Sequence, residues 1–200
     1  MIDYSLPSLE LTFLLGGVRA GKSARAVSIA RRYANAGVLF VATAEGLDDE
    51  MRRRIAAHKA ERPTDWETLE SHRDLSGDID RVLSAQHDRF SVVIIDCLTL
   101  WVSNILLTLH ETDDAETVLA EQTTSLIETM RRHSPRPVGT DVSARCWIVV
   151  SNEVGLGIVP STLLGRRYRD ALGRVNSMIA AAASDATLMI AGLALPLKTR

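Results

Sequence analysis

The sequence predicts an α/β protein, a mostly parallel sheet with helices on both faces. Three observations predict it. Short, almost wholly apolar runs alternate with longer stretches of helical period. The first of these runs leads directly into a glycine-rich turn that opens a helix. The chain has 200 residues, enough for one core, whereas chains divide into several only beyond roughly 250–300 residues. A single domain spanning residues 1–200 is expected.

Taken in order, residues 11–15 (LTFLL), 38–43 (VLFVAT), 92–96 (VVIID), 146–151 (CWIVVS) and 186–191 (ATLMIA) read as strands. Each is apolar throughout rather than alternating, as strands buried on both faces are. Helical periods occupy 21–35, 48–62, 78–86, 98–110, 115–133 and 163–183, and such alternation implies parallel strands joined by crossover helices. Gly37 is placed to end the first helix and Asp48 to cap the second. Residues 134–145 (SPRPVGTDVSAR) read as a surface loop. Residues 195–198 (LPLK) suit a short edge strand, the one sheet position that tolerates Pro196.

Composition removes several function classes. Hydrophobic residues make up 46% and charged residues 24%, too apolar for disorder. Lys and Arg number 23 against 25 Asp and Glu, a net charge of −2. That balance argues against nucleic acid as a partner, because such binding needs surplus cations to displace phosphate counterions. No apolar run approaches the roughly 18–20 residues of a membrane span. The first residues, MIDYSLP, lack the charged and apolar regions of a signal peptide. Cys97 and Cys146 each sit in apolar surroundings, as buried thiols of a reducing compartment do. A cytoplasmic enzyme is expected.

Gly16-Gly17-Val18-Arg19-Ala20-Gly21-Lys22-Ser23 fits G-x-x-x-x-G-K-[ST], the phosphate-binding P-loop. Its glycines let the backbone curl so that several N–H groups face phosphate oxygens, at a helix end whose dipole favours anions. Lys22 would reach the β- and γ-phosphates and the Ser23 hydroxyl would ligate Mg²⁺. The expected fold is therefore P-loop NTPase-like, with RecA-type strand order. A second buried strand usually ends in a carboxylate that serves the same metal, and Asp96 is placed to do so; its alternative reading is an N-cap for the helix at Leu98.

P-loops serve many activities. The guanine-reading N-K-x-D pattern of GTPase switches is absent, which leaves a small-molecule enzyme or an ATPase. On the helix over 48–62, Met51, Ile55, His58 and Arg62 share one face. Like charges at Arg54, Lys59 and Arg62 favour a neutral His58 imidazole, a nucleophile, and would draw a nucleotide phosphate to it. The plainer alternative is a polar helix surface with an incidental histidine. His72, His87, His110 and His133 read as solvated. Ser151-Asn152-Glu153 would line the crevice at a strand's carboxyl end. Arg166, Arg167, Arg169 and Arg174 suit either an anionic substrate or a solvated helix face.

Together these runs resemble one family, the bifunctional adenosylcobinamide kinase / adenosylcobinamide-phosphate guanylyltransferases of cobalamin biosynthesis. The resemblance rests on GGVRAGKS, on VATAEGLDDEMRRRIAAHKAERP with Trp66 and Glu70 after it, and on IIDCLTLWVSNIL. SNEVGLGIVP and RRYRDALGRVNSMIAAAASDATLMIAGLALPLK complete it, so that it spans almost the whole chain. Ala20 stands where the family often has Ser or Thr, and 134–145 looks longer than usual. The resemblance implies two reactions. In one, ATP or GTP phosphorylates the aminopropanol hydroxyl of adenosylcobinamide. In the other, the histidine matching His58 takes GMP from GTP and passes it to adenosylcobinamide phosphate. It also implies nucleotide contacts at Thr43, Lys59, Arg62, Glu70 and Asp96, and a homotrimer. A different small-molecule P-loop kinase without the covalent step, or a nucleotide sensor without chemistry, are the alternatives.

Overall fold

The computed structural model describes residues 9–33, 37–46, 48–60, 62–86, 88–134 and 144–199, and of Arg54 the backbone alone. His87 and nearly all of the expected 134–145 loop lie outside the described residues. The chain runs β1 (Leu11–Gly16), α1 (Lys22–Tyr33), β2 (Gly37–Ala42), α2 (Asp49–Ala60), β3 (Glu67–Glu70), α3 (Leu75–Ala85) and β4 (Phe90–Asp96). It continues through α4 (Leu98–Leu106), α5 (Ala115–Arg132), β5 (Cys146–Val150), α6 (Leu163–Ala182), β6 (Asp185–Ile190) and β7 (Leu193–Lys198).

One seven-stranded sheet has the order β3-β2-β4-β5-β1-β6-β7. All neighbours pair parallel except β6 with β7. β5 lies between β1 and β4, the RecA-type arrangement, in which one strand separates the P-loop strand from the strand bearing the carboxylate.

The uniformly apolar strands are explained by two cores. Alternate side chains face opposite ways. Leu14, Phe40, Ile94, Ile148 and Val150 pack with Ala26, Ile29 and Ala30 of α1. Phe13, Val41, Ile95, Trp147 and Val149 pack on the other face with Ile79, Trp101, Leu126 and Val175 of α3, α4, α5 and α6. Both buried indoles satisfy their N–H: Trp101 Nε1 donates to the Arg73 carbonyl and Trp147 Nε1 to Ser134 Oγ, each at 2.8 Å. Helix α2 differs, because none of its described side chains is buried.

Asp48 caps α2 as expected, accepting from Met51 N at 2.7 Å. Four readings need correction. Gly37 begins β2, its N–H bonded to the Arg89 carbonyl at 2.9 Å, and the expected helix end at 34–35 lies outside the described residues. α3 starts at Leu75 because Asp74 supplies an N-cap, accepting from Gly77 N. Arg62 lies beyond the end of α2. His133 is buried, 6% exposed, with Nε2 at 2.9 Å from Asp80 Oδ1; the turn that ends α5 folds it inward. β3 is an unforeseen strand, polar because it pairs on one side only, with β2.

Candidate active site

Parallel strands bring their carboxyl ends to one edge of the sheet, where open α/β sheets bind ligands. At this edge β1 delivers the P-loop, β2 Thr43, β3 Glu70, β4 Asp96 and β5 Ser151.

The P-loop has the backbone its sequence requires. Gly16 has φ +145°, and a Cβ there would run into the Met189 carbonyl of β6. Gly21 has φ +90°, and Arg19 takes φ 57° between them. The β6–β7 turn backs the loop, Gly192 N donating to the Ala20 carbonyl at 3.3 Å. Gly17, Val18 and Arg19 are exposed, whereas Ala20 is buried. Lys22 is 8% exposed, and its Nζ donates to the carbonyls of Gly16 at 2.9 Å and Gly17 at 2.7 Å. Burial lowers its pKa, and the neighbouring Cys97 and Asp96 work the other way.

Ser23 and Asp96 meet, Oγ donating to Oδ2 at 2.8 Å. Burial raises the Asp96 pKa, against the Ser23 hydrogen bond and the charges of His58, Arg62 and Lys22. Asp96 does not cap α4; that position is Cys97, which makes no side-chain capping bond. Burial pushes the Cys97 thiol up to about 11, so it is protonated at neutral pH and unsuited to act as a nucleophile. The Ser23–Asp96 pair offers a hard hydroxyl and a hard carboxylate, donors of the kind Mg²⁺ takes. Among the described residues no cluster of three or more His, Cys, Asp or Glu could hold a metal. A cation here would complete its shell with phosphate oxygens and water, the usual arrangement for Mg²⁺ at nucleotide sites.

His58 and Lys59 lie exposed on the last turn of α2. Arg62, half-buried just past it, stacks over Phe40 with its guanidinium carbon 3.7 Å from the ring centroid. Burial lowers the Arg62 pKa, opposed by the charges of Asp96 and Glu70. The P-loop and the α2 end therefore converge electrostatically on Asp96. Glu70 is exposed at the end of β3. Thr43 is fully buried, its hydroxyl donating to the Cys97 carbonyl at 2.7 Å and accepting from Cys97 N at 2.8 Å.

Three of the four arginines named on α6 have structural partners, and Arg174 is exposed. Arg166 donates to the Pro160 and Ser161 carbonyls, Arg167 to those of His110 and Asp113, and Arg169 pairs with Asp170. Glu153 accepts from Gly155 N. Sequence reasoning missed Thr99 and Asn104, whose polar side chains are buried beside the strand exits, as is that of Asn176. Thr99 Oγ1 accepts from Asn152 N, and Asn176 Nδ2 donates to the Asn152 carbonyl. Their signal was a polar residue inside an apolar helix stripe, which does not say what it meets.

The sheet order and the loop geometry define a P-loop nucleotide-binding protein of RecA type. Overall shape alone reaches no further. The flagellar accessory protein FlaH from Methanocaldococcus jannaschii superposes with a TM-score of 0.50 at 13% identity, over 98% of this chain and 80% of its own, and shows a shared fold only. The sequence is more specific. Residues 12–197 match the family described as cobinamide kinase / cobinamide phosphate guanyltransferase, and the chain belongs to that family. It is 38% identical over 185 residues to the bifunctional adenosylcobalamin biosynthesis protein CobP of Pseudomonas aeruginosa, covering 92% of this chain and 95% of that one. It is 34% identical over 196 residues to CobU of Escherichia coli, covering 94% and 99%.

Proposed function

We propose that this chain is a bifunctional enzyme of cobalamin nucleotide-loop assembly, acting on adenosylcobinamide and then on adenosylcobinamide phosphate. In the first reaction the aminopropanol hydroxyl oxygen bonds to the γ-phosphorus of ATP or GTP, the β–γ bridge breaks, and the nucleoside diphosphate leaves. Backbone N–H groups of residues 17–23 hold the phosphates, and Lys22 turns from its loop carbonyls to the transferring group. Mg²⁺, held through Ser23 and Asp96, would neutralise phosphate charge.

In the second reaction a ring nitrogen of His58 bonds to the α-phosphorus of GTP and pyrophosphate leaves. A phosphate oxygen of adenosylcobinamide phosphate then displaces the imidazole, and the product is adenosylcobinamide-GDP. Covalent catalysis of this kind divides one displacement into two. Lys59 and Arg62 would offset charge on the phosphates and Glu70 would border the nucleotide, while Thr43, fully buried, would act from behind by holding the Cys97 backbone. The observation that carries the reading is the Ser23–Asp96 contact at 2.8 Å, which sets the P-loop helix against the carboxylate at the end of β4, in a chain whose residues 12–197 match the two-activity family. We propose further that the enzyme is a cytoplasmic homotrimer. No helix among the described residues is long and apolar enough to cross a membrane.

Incubation with α-labelled GTP and Mg²⁺ tests the covalent step. Label should become protein-bound through a bond that is acid-labile and alkali-stable, and His58→Ala should abolish it with nucleotide affinity nearly intact. Label that survives acid would place the guanylyl group on a side chain other than a histidine, and phosphorylation of adenosylcobinamide with no labelling at all would leave a P-loop kinase without the guanylyl step.

A further inference from the structure

We infer that Asn104 is a positioning residue for guanylyl transfer, pinning to helix α4 both ends of the chain excursion that carries His58. The inference rests on the covalent role proposed for that histidine. Between Thr43, where β2 ends, and His72, just past β3, the chain leaves the core to form α2 and returns. Asn104 Nδ2 donates to the Thr43 carbonyl at 2.8 Å and to the His72 carbonyl at 3.0 Å. One buried amide thus closes the base of a segment of about thirty residues, the span expected of a β-strand-to-strand crossover with its helix.

The anchor is fixed. Leu98, Trp101, Val102 and Ile105 bury α4 in the core around Asn104, itself 6% exposed. Elsewhere the base of the excursion is held by the β2–β3 ladder, by Ser71 N donating to the Ala42 carbonyl at 3.0 Å and by Arg62 stacked on Phe40. None of the described side chains of α2 itself is buried. Met51 and Ile55 are only half-buried, and β3 pairs with β2 alone. Arg52 makes exposed contacts with the Gly46 carbonyl and Asp49, of a kind that contributes little. The Thr43 hydroxyl then ties the same base to the backbone of Cys97, next to Asp96. His72 adds a longer contact, Nδ1 at 3.4 Å from the Thr43 carbonyl.

Burying an amide on an otherwise apolar helix is costly unless its bonds are needed. The sheet does not need them, since β2 and β4 pair through their own backbones. Neither does the P-loop, which stands on β1 with Asp96 on the end of β4. Loss of Asn104 should therefore separate the two activities. Displacement of a reacting group by about 1 Å can cost a hundredfold in rate, and the displaced group here would be His58.

The test compares the parent enzyme with Asn104→Leu, which keeps the bulk and removes both amide bonds, and Asn104→Ser, which keeps one donor. Single-turnover labelling by α-labelled GTP is measured beside phosphorylation of adenosylcobinamide, with amide hydrogen exchange over residues 43–72. We expect labelling to fall about 10- to 100-fold in Asn104→Leu and less in Asn104→Ser, with phosphorylation within about threefold of the parent. Exchange over 43–60 should rise while α1 stays protected. Equal loss of both activities, or unchanged labelling and exchange, overturns the assignment. If the parent itself is never labelled, the covalent reading fails, and exchange alone decides whether Asn104 pins the excursion. If Asn104→Leu does not fold, Asn104→Ser carries the same comparison.

Discussion

Asp96 is the residue at which stability and chemistry oppose each other. Burial lifts its pKa above the ordinary carboxylate value, so the folded chain holds this proton to higher pH than the unfolded chain does. Stability contributed here is greatest below the ordinary carboxylate value of about 3.9 and is lost as pH rises through the lifted folded pKa. A side-chain amide in place of this carboxyl would carry no such charge and could still accept from Ser23. We expect Asp96→Asn to unfold at higher urea concentration than the parent at pH 7.5, with the gap closing as the pH approaches 4. Phosphoryl transfer should fall by about two orders of magnitude or more, the usual loss when one preorganised electrostatic group is removed. A variant less stable than the parent at pH 7.5 would show that the ionised carboxylate is compensated within the fold.

At the scale of elements, the long helix α6, whose Asn176 holds the Asn152 carbonyl just past β5, is set by its first turn. Thr162 caps it, Oγ1 accepting from Gly165 N at 3.1 Å, and Arg166 ties that turn to the Pro160 and Ser161 carbonyls. Loss of such a cap costs about 1 kcal/mol, or about 2–4 °C in Tm for a domain of this size. Thr162→Ala should lower Tm by that amount in a thermal scan and leave labelling of His58 unchanged, since the cap touches none of the P-loop or α2 groups. An unchanged Tm would assign the hold on this turn to Arg166 instead.

The same elements show what could be read before the fold was known. Five apolar strands and their order of occurrence were legible because burial on both faces writes itself as unbroken apolar runs. So was the P-loop, whose backbone curl demands particular residues at fixed spacing. β3 was not, because an outermost strand such as Glu67–Glu70 needs little apolar character. Among site residues, Ser23 and Asp96 were foreseen and stand in contact. Asn104 and Thr99 were not, because a buried polar residue is explained only by the distant backbone it meets. His133 was misread for the same reason, since its partner Asp80 comes from α3.

For the whole molecule, the telling feature is apolar surface beyond the β5 exit. Leu156, Ile158 and Val159 are 85%, 97% and 60% exposed, and Leu163 and Leu164 at the start of α6 are about half exposed. Five exposed large apolar side chains within nine residues exceed the singly scattered ones of ordinary solvated surface and suit an interaction site. The run follows Asn152 and Glu153 in the chain, past the β5 exit, where the proposed homotrimer would place a subunit border. The proposed homotrimer makes a definite expectation: the parent chain sediments at three times its monomer mass of 21.9 kDa. Ile158→Asp would bury a carboxylate at any interface formed by this run, a change costly enough to dissociate modest contacts. We expect that variant to shift toward monomer in sedimentation while its Tm, measured at the same chain concentration, falls with the loss of association. A parent that sediments as a monomer would sink the trimer. A variant that remains trimeric would move the interface to another surface, such as the exposed leucines of β7.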